Sequence, residues 1–237
     1  TTSFVGPHSA AVEKAESKRR RTGTTVQRAL TAEPTTVDLA GKEAKTWAFT
    51  GASATEPIRG NIGDTLKVAL TNDLPDPTTV HWHGLALRND MDGVPPLTQT
   101  ATRPGESFQY EFIAPDPGTH WFHPHVGVQQ DRGLYAPLII DDPNEKGDYD
   151  QEWIIVLDDW LDGVIATPDQ VMKELGKGMM DHGGMDMGPM RMGNTLMGAT
   201  SPLLGGDAGD VYYPLYLING RPAADPETFT AKPGQKI

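Results

Sequence analysis

The sequence predicts an all-β sandwich. Short β-prone segments recur from Thr36 onward, Gly, Pro, Asn and Asp separate them at sandwich-like intervals, and apolar residues alternate within them. In "TLKVALTN", residues 65–72, Leu66, Val68 and Leu70 share one strand face while Lys67 and Ala69 share the other. Successive side chains of a strand point to opposite faces, so one face of this strand is expected to be buried.

Residues 1–34 read as a polar extension. "AAVEKAESKRRR" suits a short polar helix or a flexible arm, and the run Lys18 to Arg21 reads as solvated charge. Residues 35–147 carry the strands "TTVDLA", "AKTWAFTG", "TLKVALTNDL", "TTVHWHGLAL", "SFQYEFIAP", "GTHWFHPH" and "YAPLIIDDP", enough for a first sandwich domain. The turn-rich "DDPNEKGDYDQEW" places a boundary near Asp148. Residues 148–237 then supply the strand "EWIIVLDDWLDG", an irregular Gly- and Met-rich insertion over 164–210, and the strand "VYYPLYLING". The final "PGQKI" reads as a turn into a strand barely begun, so the second domain is expected to be incomplete.

Composition narrows the function classes. The chain's 237 residues suffice for one large domain or two ordinary ones. Twenty Lys and Arg against 32 Asp and Glu leave a net charge of −12, which argues against a general affinity for nucleic acid or anionic lipid. No apolar run approaches the roughly 18 residues of a spanning helix, so no membrane span is expected. The opening residues lack the hydrophobic centre of a signal peptide, which is compatible with a signal cleaved ahead of Thr1. With no cysteine, these residues alone offer neither disulfides nor thiolate ligands.

Chemistry concentrates in two histidine pairs, His81-Trp82-His83 and His123-Pro124-His125. In a strand, residues i and i+2 share a face, so each pair aims two imidazoles at one point while Trp82 turns away. Pro124 has no N–H and restricts its neighbours toward extended backbone, which favours a strand edge or end, open to a ligand. Four imidazoles suit copper, zinc, iron or nickel and disfavour magnesium or calcium; nitrogen chemistry alone does not choose among the first four. The parity of His120 places it on the opposite face, with Phe122, in a structural or surface role.

"HWHGL" followed by "GTHWFHPH" resembles the first cupredoxin domain of the multicopper oxidases, the laccase-like enzymes. "IRGNIGDTLKVALTNDLP" and "DGVPPLTQTATRPGESFQYEF" are similar to the segments before and between the family's histidine pairs, and "EWIIVLDDW" and "LYLINGRP" to the start of its second domain. The resemblance implies cupredoxin-like Greek-key β-sandwich domains. It implies that His81 binds type 2 copper, and that His83, His123 and His125 bind the type 3 pair, half of a trinuclear copper cluster. The remaining cluster histidines are expected from a missing C-terminal portion or from another chain, and a type 1 site with its cysteine from the missing C-terminal portion.

The implied activity is that of an oxidoreductase: one-electron oxidation of a phenol, an aromatic amine or a cuprous ion, coupled to reduction of dioxygen to water. Export to an extracytoplasmic compartment, periplasmic, secreted or cell-surface, is likewise implied by the family. Asp92, nine residues after His83, matches an acidic family residue that orients the cluster's water and relays protons, although Asp92-Gly93 also reads as a plain turn. Eight of the nine methionines lie between positions 172 and 197. Thioether sulfur suits Cu(I), making Met179, Met180, His182, Met185, Met187, Met190 and Met192 auxiliary copper candidates; a flexible linker or an adaptable apolar cover has the same composition. A non-catalytic copper-binding or copper-tolerance protein on the same scaffold is the alternative.

Overall fold

The computed structural model describes residues 6–53, 55–175, 190–192, 195–197 and 211–237. Its strands are β1 (Thr25–Asp38), β2 (Glu43–Thr50), β3 (Ile58–Asn61), β4 (Thr65–Asn72), β5 (His81–His83), β6 (Ser107–Ile113), β7 (Gly118–His123), β8 (Ala136–Asp141), β9 (Leu157–Trp160), β10 (Met190–Met192), β11 (Thr195–Met197), β12 (Leu215–Ile218) and β13 (Arg221–Pro222). Two α-helices accompany them, α1 (Ala10–Glu16) and α2 (Pro168–Leu175). The chain divides into two compact units: residues 1–35, 47–155 and 228–237 form the first, residues 36–46 and 156–227 the second.

The first unit is built around two four-stranded sheets, in the orders β2-β1-β4-β6 and β3-β8-β7-β5. Alternation is the reason they face each other. Leu66, Val68 and Leu70 of β4 are fully buried, and Tyr110 and Phe112 of β6 join them. From the other sheet come Trp82 of β5, Phe122 of β7, and Leu138 and Ile140 of β8. The Trp82 indole lies 5.6 Å from the Tyr110 ring and 4.9 Å from the Phe112 ring, tying the histidine-bearing sheet to its opposite.

The N-terminal extension is shorter than expected. The chain enters the sheet at Thr25, and Leu30 and Ala32 are completely buried on β1, which runs parallel to β4 with Leu30 beside Leu70. The apolar residues of β1 do alternate, but exposed Arg28 interrupts the pattern between Val26 and Leu30. Ahead of β1 the helical reading holds, as α1. Arg19 is not purely solvated: its guanidinium donates to Glu16 and to the Ala86 carbonyl, both at 2.7 Å.

The second unit contains the sheet β13-β12-β9, whose inner face packs Trp160 and Leu217 on Leu39 and Ala44. Within the stretch expected to be irregular, α2 and the antiparallel pair β10–β11 are regular elements. A capping box starts the helix: the Gln170 N–H donates to Thr167 Oγ1 at 3.3 Å and the Thr167 N–H to Gln170 Oε1 at 2.8 Å, with Pro168 at the first helical position. Among the described residues, no helix is long and apolar enough to cross a membrane.

Candidate metal centre

β5 and β7 pair antiparallel, with His81 opposite His123 and His83 opposite Trp121. That register and the two-residue period bring His81, His83 and His123 together: one ring nitrogen from each lies within 4.8 Å of the others. His125 follows the end of β7, yet its ring centroid is 5.3 Å from that of His81 and 6.0 Å from that of His123. All four histidines predicted from the two pairs therefore converge. His123 is buried, His81 half-buried, and His83 and His125 exposed, giving a cluster open on one side.

The backbone decides which nitrogens are free. His81 Nδ1 lies 2.7 Å from the Asp92 carbonyl, and His123 Nδ1 lies 2.8 Å from the Pro124 carbonyl. A carbonyl only accepts, so each Nδ1 carries the ring proton and each Nε2 presents its lone pair. His123 Nε2 in turn accepts from His83 Nδ1 at 3.1 Å. A carbonyl or carboxylate behind the imidazole is the usual outer support of a metal-bound histidine, because it fixes both tautomer and ring plane.

Protonation is also disfavoured. Burial pushes His123 down to about 4, against the Pro124 hydrogen bond, and the crowding of His81, His83 and His125 around it further disfavours a charged ring. Desolvation, then His81 and His125, lower His83 as well. Both rings are neutral donors at neutral pH, and the set of close, neutral nitrogens fits a nitrogen-preferring transition metal such as copper.

Asp92 stands behind His81, its carboxylate 3.5 Å from Nδ1 and its carbonyl nearer. Gly93 makes this approach possible. At φ +74° it packs so closely that a Cβ would sit 1.9 Å from the Val80 carbonyl oxygen. His120 lies outside the cluster; its ring rests near Gly84 and Gly118, and its Nε2 is buried without a hydrogen-bond partner among the described residues. Of the auxiliary copper candidates, Met179, Met180, His182, Met185 and Met187 lie outside the described residues, while Met190 and Met192 form the ends of β10.

Sequence reasoning missed the contact made by Trp121. The indole stacks on His123, centroids 4.2 Å apart at 26°, and on His83 at 5.0 Å and 28°. Its two-residue spacing from His123 within one strand, which puts both on the same face, was the available signal.

Known proteins share this chain's sequence and fold. Residues 31–145 match the multicopper oxidase family profile. The multicopper oxidase MmcO of Mycobacterium tuberculosis is 47% identical over the whole of this chain, which covers 46% of that relative. Copper resistance protein A of Escherichia coli is 35% identical over 62% of this chain and 24% of its own length. Among solved structures, a multi-copper oxidase from Pseudomonas thermotolerans superposes with a TM-score of 0.61 at 30% identity, covering 84% of this chain and 42% of the other. The chain thus spans less than half the length of these relatives.

Proposed function

Because the chain belongs to the multicopper oxidase family, we propose that its whole protein couples one-electron oxidation of a donor to four-electron reduction of dioxygen to water. The observation carrying this reading is the convergence of four histidines from two strand-borne pairs, with the ring protons of His81 and His123 held on backbone carbonyls. Bound copper would supply the one-electron steps between donor and dioxygen. In this proposal His81 would hold type 2 copper and His83, His123 and His125 would hold the type 3 pair, together half of a trinuclear cluster. The remainder of the polypeptide, or another chain, would supply the other cluster histidines, and the remainder of the polypeptide the cysteine of a type 1 site. Residues 47–155 together with β1 would make up the first cupredoxin domain, and residues 156–227 would begin the second.

The side chains of this chain set orientation and proton supply. The Asp92 carbonyl fixes the His81 ring plane. The Asp92 carboxylate, 3.5 Å from the same ring, is placed to hold a proton for delivery during dioxygen reduction, which consumes four. Trp121 covers His83 and His123 and limits their tilt. The donor is a phenol, an aromatic amine or a cuprous ion, and the mature protein works outside the cytoplasm after signal cleavage. Matches named multicopper oxidase, laccase and L-ascorbate oxidase favour turnover over a purely copper-binding role.

The test is oxygen consumption by the purified whole protein with each of the three donor classes, beside copper per chain and visible and EPR spectra. Four donor oxidations per dioxygen, abolished by copper removal and restored by copper, are expected. A copper-loaded protein that consumes no oxygen with any of the three would overturn the oxidase reading and leave copper binding alone.

A further inference from the structure

His125 is the member of the cluster that no strand holds. Ladder pairing of β7 with β5 extends to His123 and stops there. Three contacts nevertheless fix the segment that follows. The His125 N–H donates to Thr79 Oγ1 at 3.2 Å. The Thr78 hydroxyl donates to Gln129 Oε1 at 2.8 Å, and Gln129 Nε2 donates to the Pro77 carbonyl at 2.9 Å. Thr78 also pairs with Thr102 through two backbone hydrogen bonds of 2.9 Å, anchoring the clamp on the His81 side.

These groups are deep. Thr78 and Thr79 are completely buried, and Gln129 is 7% exposed. A buried amide without partners is costly, whereas one whose carbonyl and NH₂ are both engaged in low dielectric fixes a geometry that an apolar side chain would leave loose. Gln129 spends both ends of its amide on one short segment, Pro77 and Thr78, immediately ahead of the strand carrying His81. Its backbone begins the 3₁₀ turn Gln129–Asp131 that ends the loop containing His125. The clamp therefore closes that loop at its far end, while Thr79 grips it at His125 itself.

We propose that Gln129 is a positioning residue for His125: bound to Thr78 and Pro77, it locks the 124–128 loop against the His81 strand and so presents the fourth imidazole to the cluster. The inference rests on the reading of His125 as a copper ligand. Gln129 touches neither imidazole nor metal and acts through the loop.

The test uses the whole protein carrying Gln129→Met, Thr78→Val, Thr78→Ser or His125→Ala. Three quantities are measured: Cu(II) affinity, the number of imidazoles on copper by X-ray absorption, and, in the metal-free protein, the NMR line shapes of the His125 and His123 ring protons. Gln129→Met and Thr78→Val are expected to weaken copper binding at the His125-dependent site about tenfold, the lower end for loss of an outer support. They should broaden His125 signals and leave those of His123 sharp, a split that general destabilisation does not produce. Thr78→Ser, which keeps the hydroxyl, should restore wild-type behaviour, and Gln129→Met combined with Thr78→Val should be no worse than either alone. Wild-type affinity and sharp His125 signals in Gln129→Met and Thr78→Val would overturn the positioning role. Undiminished copper binding in His125→Ala would instead overturn the ligand reading beneath it. If Gln129→Met fails to fold, the Thr78→Val and Thr78→Ser pair decides the matter on the same readouts.

Discussion

The Trp121 indole lies nearly parallel to the His123 imidazole, with ring centroids 4.2 Å apart, and the same indole stacks on His83. One half-exposed side chain thus braces two rings from two strands, and the contact brings a fluorophore against the proposed copper site. Cu(II) binding is expected to quench indole emission, and Trp121→Phe should remove most of the quenched fraction while keeping copper affinity within about threefold. Trp121→Ala, without a ring to stack, should lose about 1 kcal/mol of binding. Quenching of the same size in Trp121→Phe would show that the signal arises elsewhere.

Asp92→Asn separates the carboxylate from the carbonyl behind His81. The backbone oxygen that holds Nδ1 survives the substitution, so copper content should stay near normal. Reoxidation of the reduced protein by dioxygen should slow by about 10² if the carboxylate delivers protons. Unchanged stopped-flow reoxidation would remove that role.

Gly93 is expected to tolerate no side chain. A Cβ there would meet Val80 backbone atoms at 1.9 and 2.5 Å, whereas Gly105, also left-handed at φ +76°, has nothing within 4 Å. Gly105→Ala should therefore cost only the conformational penalty of about 1–2 kcal/mol, and Gly93→Ala distinctly more, with loss of the His81 support. Urea midpoints of the two variants compare them, and equal midpoints would contradict the close approach.

Asp64 should make stability pH-dependent. Burial acts to raise its carboxyl pKa, but hydrogen bonds from the Thr22 hydroxyl and from the backbone and side chain of Asn61 outweigh this and hold it below the ordinary value. Because the folded value is the lower one, the stabilisation is full above the unfolded pKa of about 3.9 and fades as pH falls through the folded one. Asp64→Asn is expected to cost about 1–3 kcal/mol at neutral pH, with the gap to wild type closing in acid. A gap independent of pH would mean that the charge contributes nothing.

What the sequence discloses and what it hides follow from contact range. Strand β4 could be read residue by residue, because "TLKVALTN" alternates and its burial alternates with it. The convergence of His81 with His83, and of both with His123, likewise needs only a two-residue period and the pairing of two strands. The clamp on His125 was hidden because Thr78 and Gln129 are 51 positions apart, and no local pattern marks a side chain hydrogen-bonded across that span. Two misreadings have local causes. Arg28 masked the alternation of β1, and the Gly- and Met-rich setting of 164–210 obscured the Thr167–Gln170 capping box that starts α2.

The second unit assembles from two separated lengths of chain, residues 36–46 and 156–227. On a translating ribosome, Leu39 and Ala44 emerge early, and all of residues 47–155 must follow before Trp160 and Leu217 arrive to cover them. During that interval the nascent chain carries an apolar edge with no native mate, a window in which a chaperone would have something to hold.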